Sequence, residues 1–275
     1  MSVPSSILAS VTLEPMIEVS VEPSRGCLEV DGRRLSYLDF GGPGRVLLAL
    51  HGHFNEGRTF TRLAASLASD WRVIALDQRG HGFSDHTADY SPDGYVADAV
   101  ALLDHLAVGA AVVLGHSLGG VNAYRLAALQ PYRVQGLVIE DIGVELDHDL
   151  SFCLAWPRRG ATRSSLVEGL GDSARYLMDS LREFPDGWGL AFSPEDMVRS
   201  VRQQAGDYWA DWLATDCPAL VIRGTQSDSM SVEHANAMVE RRPGTTLTEL
   251  PTGHTVHETD PVGFIDVVRE FLATL

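Results

Sequence analysis

Short apolar runs alternate with amphipathic helical segments along most of the chain, and this alternation constrains the fold more than any other feature. Fully apolar runs of about five residues are typical of strands that are buried on both faces of a sheet. Five such runs occupy residues 46–50, 73–76, 111–114, 137–139 and 220–222. Repeated strand–helix units predict an α/β protein whose mostly parallel sheet is covered by helices on both faces.

Composition narrows the class of protein. The chain has 275 residues, 45% of them hydrophobic, which is enough to bury a core without a disulfide or metal. Its 37 acidic and 21 basic side chains give a net charge of -16, so we expect no nucleic acid and no membrane surface as partner. All the basic residues are Arg, which excludes chemistry that requires Lys.

The cysteines and the N-terminal residues predict a location. Cys27, Cys153 and Cys217 are scattered, as expected for reduced thiols. The first 24 residues lack a basic segment, and acidic residues interrupt any apolar stretch. We therefore expect a cytoplasmic protein without a signal peptide.

The alternation breaks once, between residues 144 and 215. We predict an N-terminal extension (1–26), a core in two pieces (27–143 and 216–275) and an inserted helical cap (144–215). A structureless loop of that length would be improbable in a compact domain. Three stretches inside the insertion have helical character: Thr162 to Gly171, Ala174 to Glu183 and Pro194 to Ala205.

The strongest local motif is Gly115-His116-Ser117-Leu118-Gly119, which lies between an apolar strand and an amphipathic helix. This context is typical of a nucleophile elbow, a cramped strand-to-helix turn that exposes a serine hydroxyl. Ser117 is therefore the candidate nucleophile.

A serine hydroxyl needs a base to remove its proton. His254 follows the strand predicted over residues 246–250, so it should lie at the same edge of the sheet as Ser117. His254 is the preferred base, and the neighbouring His257 is the alternative. His116 is adjacent to Ser117, but neighbouring side chains on such a turn point apart.

The base in turn needs a carboxylate to fix its tautomer. Asp228, after the strand over residues 220–222, gives the chain order Ser, Asp, His. Asp141, at the end of the strand before the insertion, is the alternative acid.

The loop after residue 50 should supply one oxyanion donor. Gly52 lets the chain turn so that the backbone N–H of His53 faces the nucleophile, and the N–H of Leu118 is the second donor. His51 and His53 could also form a metal pair, but no further ligand motif accompanies them, so we expect no metal and no cofactor.

Aromatic residues of the insertion are candidates for an apolar substrate pocket, and the alternative is that most of them form the insertion's own core. The predicted pocket residues are Phe54, His116, Trp156, Trp188, Trp209 and Trp212, and the other candidates are Phe152, Phe184, Phe192 and Tyr208.

In this order, the motifs resemble those of the α/β-hydrolase superfamily from about residue 27 onwards. The matching pieces are His51-Gly52-His53, residues 77–85, the elbow around Ser117, residues 223–228 and Gly253-His254. The resemblance implies an eight-stranded sheet with a cap inserted after the sixth strand. It also implies that Ser117 is the nucleophile, Asp228 the acid, His254 the base, and His53 and Leu118 the oxyanion donors.

These residues predict a serine hydrolase that cleaves a small-molecule carboxylic ester or lactone through an acyl-enzyme, with water as the second substrate. Lactonases, including those for N-acyl-homoserine lactones, and C–C hydrolases, thioesterases and perhydrolases use the same residues and stay open. A binding module without turnover is the alternative from another class. The sequence does not determine the oligomeric state.

Overall fold

A computed structural model of the protein describes residues 22–275. The strands are β1 (Ser24–Val30), β2 (Arg33–Asp39), β3 (Arg45–Leu50), β4 (Trp71–Asp77), β5 (Ala111–His116), β6 (Val134–Glu140), β7 (Glu145–Leu146), β8 (Arg159–Gly160), β9 (Leu181–Phe184), β10 (Gly187–Leu190), β11 (Gly206–Asp207), β12 (Ala219–Gly224) and β13 (Thr245–Leu250). The predicted N-terminal extension lies mostly outside the described residues. Its boundary at residue 26 is wrong, because β1 already begins at Ser24 and pairs with β2.

Helices connect these strands. They are α1 (Thr61–Leu67), α2 (Pro92–His105), α3 (Leu118–Leu129), α4 (Arg163–Leu170), α5 (Pro194–Gln204), α6 (Trp209–Trp212), α7 (Val232–Arg241), α8 (Val256–Thr259) and α9 (Pro261–Leu272). None of the helices between residues 22 and 275 combines the length and the apolar character needed to cross a membrane.

Eight strands form one sheet in the order β1-β2-β4-β3-β5-β6-β12-β13. The first two strands run antiparallel to their neighbours, and β4, β3, β5, β6, β12 and β13 are parallel. The predicted α/β class and mostly parallel eight-stranded sheet are confirmed.

The sheet has a hydrophobic core on each face because successive residues of a strand point to opposite sides. In β5, Ala111 and Val113 pack towards the core that contains apolar residues of α2, α3 and α7. Val112 and Leu114 pack into the other core, with α1 and α9. Burial on both faces explains why β5 is apolar over four consecutive positions.

The insertion at residues 144–215 follows the sixth strand but is not wholly helical. The helices predicted near residues 162–171 and 194–205 are present as α4 and α5. The helix predicted from Ala174 to Glu183 is wrong: short 3-10 turns lead there into β9, which forms a three-stranded antiparallel sheet with β10 and β8. Pro185-Asp186-Gly187 supplies the turn residues that join β9 to β10.

Candidate active site

Ser117 lies on the sharp turn between β5 and α3. Its backbone is strained, with φ 50° and ψ -118°. Two glycines make the turn possible: a Cβ at Gly115 would lie 2.1 Å from the carbonyl oxygen of Gly119, and one at Gly119 would lie 1.9 Å from that of Leu50. The sequence folds here as the elbow motif predicts, and Ser117 lines a cavity.

His254 lies in the loop after β13 and lines the same cavity. Its Nδ1 is 2.8 Å from Oδ2 of Asp141. Because this nitrogen faces a carboxylate, it carries the proton, and Nε2 is left as the basic nitrogen. The side chain of His254 is 38% exposed, which leaves part of the ring accessible for proton transfer.

The carboxylate of Asp141 is fully buried and accepts three hydrogen bonds. Oδ1 accepts the backbone N–H of Gly224 at 2.8 Å. Oδ2 accepts the hydroxyl of Ser227 in addition to His254 Nδ1–H. A buried charge is tolerated only when it is paired and hydrogen-bonded, so these donors keep Asp141 suited to orient the imidazole.

The prediction that Asp228 pairs with His254 is therefore wrong, and the alternative acid, Asp141, has the required geometry. Strands β6 and β12 are adjacent and parallel, so both carboxylates start from the same edge of the sheet. Asp141 directly follows β6 and points inward. The turn after β12 brings Ser227 against Asp141 and leaves Asp228 exposed on the cavity wall.

His257, the alternative base, belongs to a second buried pair. Its Nδ1 lies 2.8 Å and 2.9 Å from the two carboxylate oxygens of Glu140, and its Nε2 lies 2.7 Å from the hydroxyl oxygen of Thr59. Burial opposes a charged imidazole, but the negative charge of Glu140 and its hydrogen bond outweigh this and raise the pKa of His257. Both ring nitrogens are engaged, so His257 is not available as the base.

His116 lies on the cavity wall, between these two histidines. Its Nε2–H donates to the carbonyl oxygen of His254 at 3.0 Å. Burial lowers the pKa of His116 to about 3. The ring is therefore neutral and supports the loop that carries His254.

The two predicted oxyanion donors flank Ser117. Leu118 is the first residue of α3, and the first N–H groups of a helix have no partner within the helix. His53 lies beyond Gly52, where an added Cβ would be 3.1 Å from Cβ of Ser117. Both residues line the cavity. Their role as donors remains a prediction.

The imidazoles of His51 and His53 point to different partners. His51 is fully buried: its Nε2 accepts the backbone N–H of Gln78 at 3.0 Å and its Nδ1–H donates to the Gly52 carbonyl at 2.8 Å. Nε2 of His53 lies 2.9 Å from the hydroxyl of Ser200 in α5. Between residues 22 and 275, no group of three His, Cys, Asp or Glu side chains is arranged to hold a metal ion.

The cavity beside Ser117 has a volume of about 580 Å³. Of the predicted pocket residues, Phe54, His116 and Trp156 line it, and so does Phe152. The insertion supplies much of the wall, including Leu150, Leu177 and Val201.

Trp188, Trp209 and Trp212 do not line the cavity, so their assignment to the pocket is wrong. Trp212 is buried in the main core and donates its indole N–H to the Met238 carbonyl at 3.0 Å. Trp209 stacks under the guanidinium of Arg241, and Trp188 packs against the core of the insertion. Of the other aromatic candidates, Phe192 and Tyr208 are also core residues and Phe184 lies under Arg159.

Sequence reasoning missed several residues of the site. The structure adds the hydroxyl of Ser227, the pairing of Glu140 with His257, and three polar residues of the cavity wall, Asn55, His148 and Gln204. One signal was present: two consecutive carboxylates end β6, and two histidines three residues apart follow β13. Each carboxylate pairs with one of these histidines.

Comparison with known proteins identifies the family. The model of the alpha/beta hydrolase family matches residues 46–267. The 3-hydroxybutyrate-oligomer hydrolase of Cupriavidus necator is 30% identical over 283 residues, covering 88% of this chain and 96% of that protein. The 2-(acetamidomethylene)succinate hydrolase of Mesorhizobium japonicum is 26% identical over 249 residues, covering 84% of this chain and 89% of that protein.

Solved structures share the fold. An E-2-(acetamidomethylene)succinate hydrolase superposes with a TM-score of 0.83 at 23% identity, covering 92% of this chain and all of the other. An alpha/beta hydrolase from Novosphingobium aromaticivorans gives a TM-score of 0.78 at 27% identity, covering 93% and 99%. The sheet order, the elbow at Ser117 and the match over residues 46–267 agree: this chain belongs to the alpha/beta hydrolase family.

Proposed function

We propose that this protein is a serine hydrolase that cleaves carboxylic esters, including lactones, through an acyl-enzyme. The observation that carries the proposal is the pairing of His254 with Asp141 on the wall of the cavity that Ser117 also lines. A nucleophile, a base and a buried carboxylate that orients the base are the parts that acyl transfer by serine requires.

In the first half of the reaction, the hydroxyl oxygen of Ser117 attacks the substrate carbonyl while Nε2 of His254 takes the hydroxyl proton. Asp141 holds the imidazole by Nδ1–H and stabilises its positive charge. The backbone N–H groups of His53 and Leu118 bind the oxyanion. His254 then gives the proton to the departing alcohol oxygen, and Ser117 is left acylated.

In the second half, water replaces the alcohol. His254 takes a proton from the water as its oxygen attacks the acyl carbonyl, and returns it to the oxygen of Ser117 when the ester bond breaks. A carboxylic acid leaves and the enzyme is restored. With a lactone, the alcohol and the acid belong to one molecule, so a single hydroxy acid is released.

We also propose that residues 144–215 act as a cap over the site. Phe152, Trp156 and Leu150 from this segment face Phe54 of the core, and Phe54 and Trp156 lie 5.0 Å apart between ring centroids. A mainly apolar roof excludes water around the acyl chain and strengthens electrostatic interactions at the reacting atoms. Two relatives are named as hydrolases, which supports the proposal that this protein hydrolyses its substrate.

The test is proton release at constant pH with linear ethyl esters and with lactones of matched acyl length. We expect turnover by the wild type and none above background by Ser117→Ala. The matched control is Ser69→Ala, since Ser69 is an exposed serine outside the cavity. A higher kcat/KM for lactones would identify a lactonase, and a preference for linear esters a carboxylesterase.

A second measurement detects the acyl-enzyme chemistry directly. A fluorophosphonate should add to the wild type and to Ser69→Ala, but not to Ser117→Ala, as read by the mass of the intact protein. A wild type that neither turns over these substrates nor accepts the probe would contradict the proposed function.

A further inference from the structure

Among residues 22–275, no Arg lines the cavity beside Ser117. Asp149 and Asp228 are the acidic residues among the lining residues, and no Arg is among them. The chain has no Lys to take that role. Asp149 accepts two hydrogen bonds from Ser151, at 2.9 Å from the backbone N–H and 2.6 Å from the hydroxyl, and these bonds lower the pKa of Asp149. It is therefore a carboxylate at neutral pH.

Three of the four histidines on the wall, His53, His116 and His148, supply no positive charge either. Burial lowers the pKa of His53 well below its usual value and that of His116 to about 3. Burial, together with the nearby His254, also lowers the pKa of His148. At neutral pH these three rings are uncharged, and Nδ1 of the fourth histidine, His254, is engaged by the side chain of Asp141 at 2.8 Å.

Arg202 also lowers the pKa of Asp149 through its positive charge. It is exposed on α5 and is not among the lining residues. A substrate carboxylate inside the cavity would thus meet apolar surface, uncharged polar side chains such as Asn55 and Gln204, neutral imidazoles and two carboxylates.

We infer that the cavity selects esters with an uncharged acyl group and discriminates against acyl groups that carry a carboxylate. This inference rests on the proposed ester hydrolysis and adds the substrate class to it. A charge removed from water without a partner is strongly disfavoured, and the carboxylates on the wall add repulsion. The name of the relative from Mesorhizobium japonicum contains a succinate; in the part of this chain that the structure describes, no Arg lines the cavity to act as a counter-ion for such a dicarboxylate.

The test compares two substrates of equal chain length, ethyl hexanoate and monoethyl adipate, which differ by one terminal carboxylate. We expect kcat/KM for monoethyl adipate to be at least about a hundredfold lower at low ionic strength. Added salt should bring the two kcat/KM values closer together, because it screens the repulsion between the substrate carboxylate and the exposed carboxylates of the wall. Equal kcat/KM values, or a preference for the anionic ester, would overturn the inference.

Removing the wall carboxylates tests whether they cause the discrimination against the anionic ester. In the double variant Asp149→Asn and Asp228→Asn, the ratio of kcat/KM for ethyl hexanoate to kcat/KM for monoethyl adipate should be about threefold to tenfold smaller than in the wild type. The control Asp266→Asn removes one exposed carboxylate on α9, outside the cavity, and should leave the ratio unchanged. If the double variant and the control have the same ratio, the wall carboxylates do not set the selectivity.

A binding experiment keeps the inference testable if ester hydrolysis itself fails. Hexanamide and adipic acid monoamide are titrated into Ser117→Ala protein by calorimetry. Weaker binding of the anionic amide by about tenfold or more supports the inference without any turnover. Equal binding overturns it, whatever the outcome with esters. Failure of both esters in the wild type, beside clear discrimination between the amides, would contradict the proposed function alone.

Discussion

Nδ1 of His254 lies 2.8 Å from Oδ2 of Asp141, a residue 113 positions earlier in the chain. The pair joins the loop after β13 to the end of β6, across the intervening strand β12. Strand β12 contributes through Gly224 and Ser227, which both donate to the same carboxylate. The acid of the proposed triad therefore comes from β6, and the loop after β12 supplies hydrogen bonds to it.

The first prediction distinguishes the two candidate acids. Asp141→Asn should lower kcat on neutral esters by about a thousandfold to ten-thousandfold, because an amide cannot hold the same imidazole tautomer. Asp228→Asn should lose less than about tenfold, since Asp228 is exposed and does not pair with His254. Steady-state kinetics on one neutral ester checks both. A larger loss for Asp228→Asn than for Asp141→Asn would return the acid to Asp228.

The nucleophile elbow and the position of His254 could be predicted because their signals are local. A glycine-flanked serine between a strand and a helix needs no long-range information. The choice between Asp141 and Asp228 is different, since both follow neighbouring parallel strands and reach the same edge of the sheet. Which carboxylate turns inward depends on the path of a few loop residues, and composition does not encode that path.

The roles of the aromatic residues in the insertion also could not be predicted from the sequence. Trp156 lines the cavity and Trp212 is fully buried beneath α3 and α7, although both are tryptophans in one irregular segment. Burial in a core and exposure on a pocket wall favour the same apolar side chains. Only the tertiary packing separates the two roles.

The second prediction concerns backbone strain at Ser117. A residue held outside the common regions of φ and ψ costs about 1–3 kcal/mol, and Ser117 has φ 50° and ψ -118°. Ser117→Gly should raise the free energy of unfolding by about 1 kcal/mol over Ser117→Ala, because glycine relieves this strain. Urea denaturation of both inactive variants provides the measurement.

The control for this prediction makes the same replacement where the backbone is unstrained. Ser66→Gly, inside α1, should have a free energy of unfolding about 0.5–1 kcal/mol lower than that of Ser66→Ala, since glycine weakens a helix. Destabilisation by glycine at both positions would show that the elbow stores no appreciable strain.

The third prediction concerns the buried carboxyl of Glu56. Oε2 pairs with Arg182 of the insertion, and Oε1 lies 3.6 Å from Nε of Arg58, beyond hydrogen-bond distance. Burial, with the nearby negative charge of Asp77, raises the pKa of Glu56 to about 7 in spite of the arginines. A carboxyl with a raised folded-state pKa stabilises the protein most below its unfolded value of 4.5, and this stabilisation is lost as pH rises through about 7.

Glu56→Gln should remove that pH dependence. Between pH 4.5 and 7.5, the free energy of unfolding of the wild type should fall relative to the variant by up to about 3 kcal/mol. Urea denaturation across this range measures the difference. A difference that stays constant with pH would mean that Glu56 is ionised throughout.

The fourth prediction concerns the buried pair of Glu140 and His257. Removing one partner leaves an unpaired buried charge, which costs about 3–5 kcal/mol, whereas removing both leaves none. Glu140→Gln and His257→Gln should therefore each destabilise the protein strongly, and the double variant should be more stable than the sum of the two effects by over about 1 kcal/mol. Additivity within about 0.5 kcal/mol would mean that the pair is not ionised.

The pH dependence of the coupling energy between Glu140 and His257 is an independent test of whether the pair is ionised. The pKa of His257 is raised, so its contribution to stability is complete below 6.5 and is lost as pH rises through the folded-state pKa. Burial opposes ionisation of Glu140, but the positive charge of His257 and the two hydrogen bonds that His257 donates lower the pKa of Glu140, so its contribution is lost as pH falls from 4.5 through the folded-state pKa. The coupling should be largest between these limits, and double-mutant cycles at several pH values should trace that maximum.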